Sequence, residues 1–405
     1  MSIVEGMLGG RTVFKDLAKL DFDYVPDNLP GREAELRGLA SIYKGLALGA
    51  TREHALVFGP VGTGKTALSE RFARDLAAAL QKQGKRLEHV RVNCRKLKSS
   101  GLAALAILNK FEPHYPERGF SVGEMLRDLR RHLQRRDCHL LVILDEVDAL
   151  LNADGSNLVY DLTRFNDDAG GGPTWQGVSL LLVSQEDVRP MLDAAALSTF
   201  KQTNAVAVSR YDAPRLEAIV KARIELAFVP GAVDPDTAAL VADIAAGEGN
   251  ARLAIEILQK AGRIADDEGH DAVSAENVRA ATKDSHSYYT APKLQNLPRH
   301  VLYALLALAR RLRKDGGAYA TTGATEQLYA LVCEEFGETP RAHTQFWKYL
   351  NQLREGGFVL SRLSGKGQAG TTQYLSIPGA TAAFVEEKVV EILRTAPREP
   401  AVRPS

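Results

Sequence analysis

Gly59-Pro60-Val61-Gly62-Thr63-Gly64-Lys65-Thr66 fills every position of the pattern G-x-x-x-x-G-K-[ST], between an apolar run, Ala55 to Phe58, and a helical pattern from Ala67 to Leu80. Strand, glycine turn and helix in that order predict a loop whose backbone N–H groups turn inward on the phosphates of a nucleoside triphosphate. Lys65 is spaced to reach the β- and γ-oxygens, and the Thr66 hydroxyl to ligate Mg²⁺. Ala67 opens a helix whose N-terminus faces the anion. A chance lysine after a glycine turn would not bring both flanking elements with it.

A second run, Leu140-Leu141-Val142-Ile143-Leu144, reads as a strand buried on both faces and ends in Asp145-Glu146. The hhhhDE pattern assigns Asp145 to the metal and Glu146 to the attacking water. An acidic pair after a strand also serves as a helix N-cap, but the companion loop at Gly59 favours the catalytic reading.

With 405 residues, 45% of them hydrophobic, the chain has core enough for two or three domains. No apolar stretch approaches the roughly 18 residues of a membrane span, and Met1 to Gly10 lacks the basic and apolar regions of a secretory signal. The cysteines, Cys94, Cys138 and Cys333, form an odd set without metal-ligand spacing. Reduced thiols in the cytoplasm are the expectation. Net charge is only +1, yet from Thr290 onward there are 15 Lys/Arg against 10 Asp/Glu. The basic excess sits in the last third.

Further strand patterns at Val90 to Asn93 and Val178 to Ser184 alternate with amphipathic helices and predict an α/β P-loop domain with a parallel sheet, residues 1–209. Arg215 to Ala227, Asp236 to Gly247, Ala251 to Gly262 and Ser274 to Thr282 are helical with no strand between them, an all-helical lid over 210–285. Lys283 to Asn296 lacks periodicity and reads as a linker. In the region 286–397, helices at Pro298 to Lys314 and Thr325 to Phe336 precede a third opened by Thr339-Pro340. A hairpin follows, Phe358 to Leu363 and Gln373 to Ile377. Three helices and a glycine-rich hairpin form a winged helix-turn-helix plan, with 398–405 as a tail.

In the third helix Phe346, Tyr349, Leu350 and Leu353 share one stripe. Arg341, His343, Thr344, Gln345 and Lys348 are the candidate major-groove residues, and Arg362 and Lys366 the candidate phosphate contacts. The other reading is a dimerisation winged helix with a solvated face.

The order of these motifs, with Ser184-Gln185-Glu186-Asp187 ending a third strand and Gly249-Asn250-Ala251-Arg252 in the lid, matches the AAA+ ATPases. With the winged helix added, the chain resembles the archaeal origin-recognition and helicase-loader family from about Phe14 to Ile377. Tyr24 to Glu33 is similar to its Y-V-P-x-x-L-P-x-R-E box, Val92-Asn93-Cys94 to its V-N-C strand end, and Tyr160 to Arg164 to its Y-x-L-x-R helix. The resemblance implies that Tyr24, Val25, Pro26, Leu29 and Arg32 surround adenine and that Arg252 reaches the γ-phosphate. Tyr211 completes the candidate nucleotide set. By the same resemblance Leu97 to Arg136 is an insertion whose tip, with Arg118 and Gly119, touches DNA; the residues alone show an exposed turn with one arginine.

Two positions depart from the family. Gln185 stands where an asparagine commonly orients the lytic water, and Ala195 occupies the slot of the arginine that many AAA+ proteins extend to a neighbour's γ-phosphate. The motif residues call for ATP/ADP and Mg²⁺ as cofactors, and the resemblance implies double-stranded origin DNA and the replicative helicase (MCM) as partners. No membrane is expected, the missing arginine predicts a monomer in solution, and a multimer on DNA is left open. The expected activity is slow ATP hydrolysis that switches a replication initiator. A DNA-binding replication or transcription regulator with a weak ATPase, and a signalling or transposition-helper ATPase, are the alternatives.

Overall fold

The computed structural model describes residues 11–49, 53–167, 175–200, 203–283, 289–363 and 372–395. Contacts divide the chain into two units, one of residues 23–211 with 249–251, the other of residues up to 22, 212–248 and 252 onward.

The first unit is built on strands β1 (His54–Phe58), β2 (Arg86–Asn93), β3 (Cys138–Asp145), β4 (Val178–Ser184) and β5 (Ala205–Ala207), in the order β2-β3-β4-β1-β5. All pairings are parallel. Every residue of β3 and of β4 is buried, as parallel strands covered by helices on both faces require. Side chains alternate across a strand. Leu141 and Ile143 therefore pack with Leu39 and Tyr43 of α1 (Glu33–Ala47) and Leu68 and Phe72 of α2 (Lys65–Gln81). Leu140, Val142 and Leu144 face α3 (Ser100–Asn109), α4 (Val122–Arg136), α5 (Val147–Asp154) and α6 (Asn157–Thr163). Helix α7 spans Ala194–Thr199.

The sequence pattern places β1, β3 and β4 well but starts β2 four residues late and misses β5. Strand β2 lies at the sheet edge, so Arg86 and Arg91 leave it exposed and interrupt the apolar signal. Three residues are too few for β5 to show a period.

In the second unit α8 (Ala213–Ala227), α9 (Pro235–Ala246), α10 (Ala251–Asp267, less its first residue) and α11 (Ala275–Ala281) form the lid, with Ser274 capping α11 through a reciprocal box with Asn277. Residues 12–22, assigned to the ATPase domain from sequence, pack here instead. The Lys15 and Asp16 N–H groups donate to Ala227 O, and Phe14 meets Phe228 at 4.9 Å between ring centres.

The winged helix follows: α12 (Ala291–Gln295), α13 (Arg299–Asp315), β6 (Ala320–Thr321), α14 (Thr322–Glu335), α15 (His343–Glu355), β7 (Leu360–Leu363), β8 (Gln373–Ser376) and α16 (Ala382–Thr395). Its antiparallel sheet runs β6-β8-β7. The expected linker contains α12, anchored by buried Leu294. The third helix starts at His343 after an extended Ala342, not at Thr339-Pro340. The Tyr329 hydroxyl takes the Arg341 N–H at 3.4 Å and so draws the preceding segment off the helix axis. Helix α16, with Val385 and Val389 in the core, had no reading from sequence.

Lid and winged helix are joined through buried charge. Arg279 of α11, with no exposed surface, donates to Ala318 O (2.8 Å), Gly317 O (3.2 Å), Ile377 O (3.3 Å) and Ser376 Oγ (3.2 Å), and pairs with Glu276. Arg362 of β7 turns inward: its Nη2 donates to Glu217 Oε2 at 2.7 Å, and Asp243, which accepts from the Tyr319 hydroxyl, lies 4.0 Å from Nη1. Arg362, expected from sequence as a phosphate contact, is thus paired with lid carboxylates here while its side chain stays 36% exposed. Lys366 lies outside the described residues. Among those residues no helix is long and apolar enough to cross a membrane.

Arg279→Met should lower the stability of the lid and winged-helix unit by about 3 kcal/mol, since buried acceptors and Glu276 lose their cation. Hydrogen exchange at the Ala318 to Thr321 and Gln373 to Ile377 backbone measures it; unchanged protection would contradict the joint. A pH effect comes from His139 in β3. Its Nδ1–H donates to Trp175 O, its Nε2 accepts from Ser179, and burial pushes its pKa down from 6.5 to about 4. Below pH 6.5 the unfolded chain takes up a proton that the folded chain refuses until about pH 4, so stability falls as pH drops through that window. The loss between pH 7 and 5 is on the order of 2 kcal/mol. His139→Gln should flatten that part of the profile in denaturant titrations.

Candidate functional site

Parallel register brings distant residues to one edge of the sheet. Phe58 pairs with Ser184, Asp145 with Val183, and Asn93 with Asp145. The strand ends therefore present Gly59, Asn93, Asp145, Glu146 and Gln185 along the carboxyl edge, where open α/β sheets bind ligands. Gln185 is exposed there, directly after β4.

The loop from Gly59 to Thr66 is shaped by close approaches. A Cβ on Gly59 would lie 2.1 Å from Val208 O. At Gly62, φ is +78° and a Cβ would meet Asn250 Oδ1 at 1.9 Å, while Gly62 O accepts from Ala251 N at 3.0 Å. Lys65 Nζ donates to Gly59 O (2.7 Å) and Pro60 O (2.8 Å), which sets a cation across the loop. Pro60, Val61 and Thr63 complete the turn, with Thr63 Oγ1 donating to Pro60 O. A loop of this form, opening α2 through a left-handed Gly64, fits a polyphosphate.

Arg32 has a different place from the one expected. It is 1% exposed and is fully engaged beneath the loop rather than against a base. Nη2 donates to Thr63 O and Ser209 O, both at 2.9 Å, Nε to the Tyr211 hydroxyl at 2.9 Å, and Nη1 to Glu35 at 2.6 Å. The guanidinium also stacks on the Tyr211 ring at 3.9 Å. Arg32 and Tyr211 thus fix the loop from behind. Tyr24, Val25, Pro26 and Leu29 are half-buried in the irregular segment leading to Arg32.

Asp145 is 3% exposed, and burial raises its pKa; the Thr66 hydroxyl, at 2.9 Å, and Arg91, at 3.3 Å, oppose that rise. A buried carboxylate beside a threonine hydroxyl offers the hard oxygen donors that Mg²⁺ takes together with phosphate. Glu146 sits in the left-handed region (φ 54°, ψ 45°), unusual for a residue with a side chain and worth about 1 kcal/mol or more of strain. Asn93 Nδ2 donates to its carboxylate at 3.4 Å, and Arg95 approaches it at 3.6 Å. Glu146 also lines a polar cleft with Arg95, Lys98, Asp148 and Asn152. Asn93 was read only as part of a strand-end motif, and Arg91 and Arg95 were missed. The signal was the alternation of polar residues at 89, 91 and 93 on an edge strand beside the acids.

Arg252 belongs to the second unit, where its guanidinium lies 5.2 Å over the Phe22 ring. Arg118 and Gly119 are exposed in the turn between α3 and α4, with Gly119 at φ +96°. In α15 the pattern holds: Phe346, Leu350 and Leu353 are buried, while Arg341, His343, Thr344, Gln345 and Lys348 at or near its start are exposed. His343 pairs with Glu326 at 2.8 Å, and Arg341 Nε donates to His300 Nε2 at 3.2 Å.

Three family models match in succession: an AAA domain over 49–192, a Cdc6 AAA+ ATPase-type lid domain over 217–283, and a CDC6 C-terminal winged helix domain over 293–386. The chain is similar to the ORC1-type DNA replication protein 2 of Saccharolobus solfataricus, 31% identical over 374 residues, 90% of each chain. Among solved structures it is similar to Cdc6p from Pyrobaculum aerophilum, with a TM-score of 0.81 and 27% identity over 94% of this chain and 99% of that one. It is also similar to the Aeropyrum pernix ORC1 protein in complex with DNA, with a TM-score of 0.60 and 31% identity over 93% of this chain and 97% of that one.

Lys65→Ala should abolish nucleotide retention, and a purified variant still carrying stoichiometric ADP would contradict the assignment. Arg32→Ala should cost about 3 kcal/mol of stability in the first unit, because Thr63 O, Ser209 O and Glu35 lose a buried partner. Its nucleotide affinity, read by calorimetry, should fall with it.

Proposed function

We propose, on the premise that this chain belongs to the Orc1/Cdc6 family of AAA+ replication initiators, that it binds duplex origin DNA and recruits the replicative helicase under control of bound ATP or ADP. The observation that carries this reading is the pairing, in one chain, of the Lys65, Thr66, Asp145 and Glu146 edge with an exposed polar face on α15.

Lys65 and the loop N–H groups hold the phosphates, and Thr66 and Asp145 hold the metal. Bound Mg²⁺ supplies neutralisation of the charge that develops on the phosphoryl oxygens. Glu146 accepts a proton from the attacking water, and Gln185 orients that water. Asn93 and Arg95 engage the Glu146 carboxylate and restrain it from that role.

Turnover is slow in this reading. An arginine finger typically contributes 10³ to 10⁵ in rate, roughly 4 to 7 kcal/mol, and the corresponding slot holds Ala195. Slow turnover suits a switch, because each nucleotide state persists long enough to be read. Arg341, Thr344, Gln345 and Lys348 supply the DNA face, with Arg118 and Gly119 as a second contact from the first unit. The structural relative in complex with DNA supports this choice of ligand. A regulator with a weak ATPase is the second reading, favoured by Ala195.

Affinity for duplex DNA should fall steeply with salt, with a slope of log K against log salt of about −4 to −7 for five to eight phosphate contacts. A flat slope would remove the DNA function. Glu146→Gln should trap the ATP state and alter helicase recruitment in pull-downs; unchanged recruitment would favour the regulator.

A further inference from the structure

Arg341 emerges just before α15, where an arginine side chain would ordinarily sample many rotamers. Its Nε instead donates to His300 Nε2 at 3.2 Å, and its backbone N–H donates to the Tyr329 hydroxyl at 3.4 Å. An arginine has no acceptor, so Nε2 must be the accepting nitrogen of a neutral imidazole and the ring proton must sit on Nδ1. That proton has a partner: the Tyr329 oxygen lies 2.7 Å from Nδ1. Tyr329 is 1% exposed, so its hydroxyl is fixed by the core of the winged helix. The ring is also held by its neighbours, stacked on Tyr349 at 5.8 Å with an interplanar angle of 10° and edge-on to Tyr303 at 5.4 Å. Three helices, α13, α14 and α15, therefore converge on one imidazole whose outward nitrogen meets the guanidinium.

We propose that His300 is a positioning residue for DNA recognition, a neutral acceptor that orients the Arg341 guanidinium at the head of α15 before any duplex arrives. The inference rests on the reading of α15 as the DNA-facing helix and goes beyond it by assigning His300 a role that is exerted through Arg341. With Nε tethered, this exposed side chain keeps its two terminal nitrogens for a guanine edge or a phosphate, which such a pair binds bidentately.

The test is a double-mutant cycle on the full-length protein, using a labelled duplex of the sequence it footprints on its own chromosome and a scrambled duplex of equal length. Arg341→Ala should weaken binding to the footprinted duplex about tenfold or more. His300→Phe keeps an aromatic ring but removes the acceptor, and should weaken it about three- to tenfold, yet cause no further loss when Arg341 is already alanine. His300→Gln, which retains an acceptor, should recover most of the affinity. Tyr329→Phe, which frees the Nδ1 proton, should act in the same direction as His300→Phe and likewise only when Arg341 is present. The Arg341 Nε–H resonance in the free protein should be protected from exchange in the wild type and lose that protection in His300→Phe.

Independent, additive losses from the His300 and Arg341 substitutions would overturn the proposal, as would an Arg341 Nε–H that exchanges freely in the wild type. Should the His300→Phe protein fail to fold, the Tyr329→Phe and His300→Gln cycles decide in the same way. A wild-type protein that binds neither duplex would overturn the DNA function itself and this inference with it, whereas additivity in a protein that binds DNA overturns the inference alone.

Discussion

Strand β3 is buried along all eight of its residues and ends in Asp145, so that carboxylate is placed by packing on both faces of the sheet rather than by its own contacts. Its neighbours in register, β2 and β4, carry Asn93 and Ser184 to the same edge. The order β2-β3-β4-β1-β5 then sets the phosphate loop after β1 next to β4, within reach of the acids. The Thr66 to Asp145 hydrogen bond, 2.9 Å across 79 residues of chain, is the point at which the two halves of the site meet. A cavity in β3, such as Val142→Ala would leave, acts on the chemistry through the position of Asp145, because a close-packed interior passes strain along the strand.

In each unit a fully buried guanidinium serves as a structural node. Arg32 ties Thr63 O and Ser209 O to the Tyr211 hydroxyl, and Arg279 ties Gly317, Ala318 and Ile377 carbonyls to Ser376. Arginine suits both positions because its five donors form a rigid fork and its charge is weakly hydrated. Burial nevertheless lowers the pKa of Arg279, a sign that desolvation opposes its charge more strongly than Glu276 restores it. Such a residue contributes little net stability over a well-packed apolar one, but its removal leaves several carbonyls unpaired. What it supplies is a defined geometry between irregular backbone segments.

Much of this was legible in the sequence, and the reasons are local. Ala55 to Phe58, Leu140 to Leu144 and Val178 to Ser184 are continuous apolar runs because both faces of each strand are covered, and the phosphate loop is legible because glycine is required at fixed offsets. Elements whose placement depends on tertiary partners were lost. Strand β5 is too short for a period, and α12 is held by Leu294 against the winged-helix core. The start of α15 is set by Tyr329 rather than by Thr339 or Pro340. The partners of two arginines were hidden for one reason: type and position suggest a base contact for Arg32 and a phosphate contact for Arg362, whereas the groups they meet, Thr63 with Tyr211 and Glu217 with Asp243, lie 31 or more residues away. A charge pattern reports where cations are, not which carboxylates or carbonyls have already claimed them.

The exposed head of α15 illustrates the complementary case, in which surface residues are ordered without being buried. A free arginine side chain carries about 2 kcal/mol of rotamer entropy, which any ligand it binds must overcome. Arg341 gives up part of that freedom in the isolated protein, to a ring that is itself fixed by Tyr329 and Tyr349. His343 does the same through Glu326. The cost of ordering is thereby met during folding, by aromatic contacts among α13, α14 and α15, and not at the moment of recognition. A face organised in this way favours a ligand whose acceptors match the fixed directions, so the rigidity of the aromatic cluster bears on selectivity through Arg341.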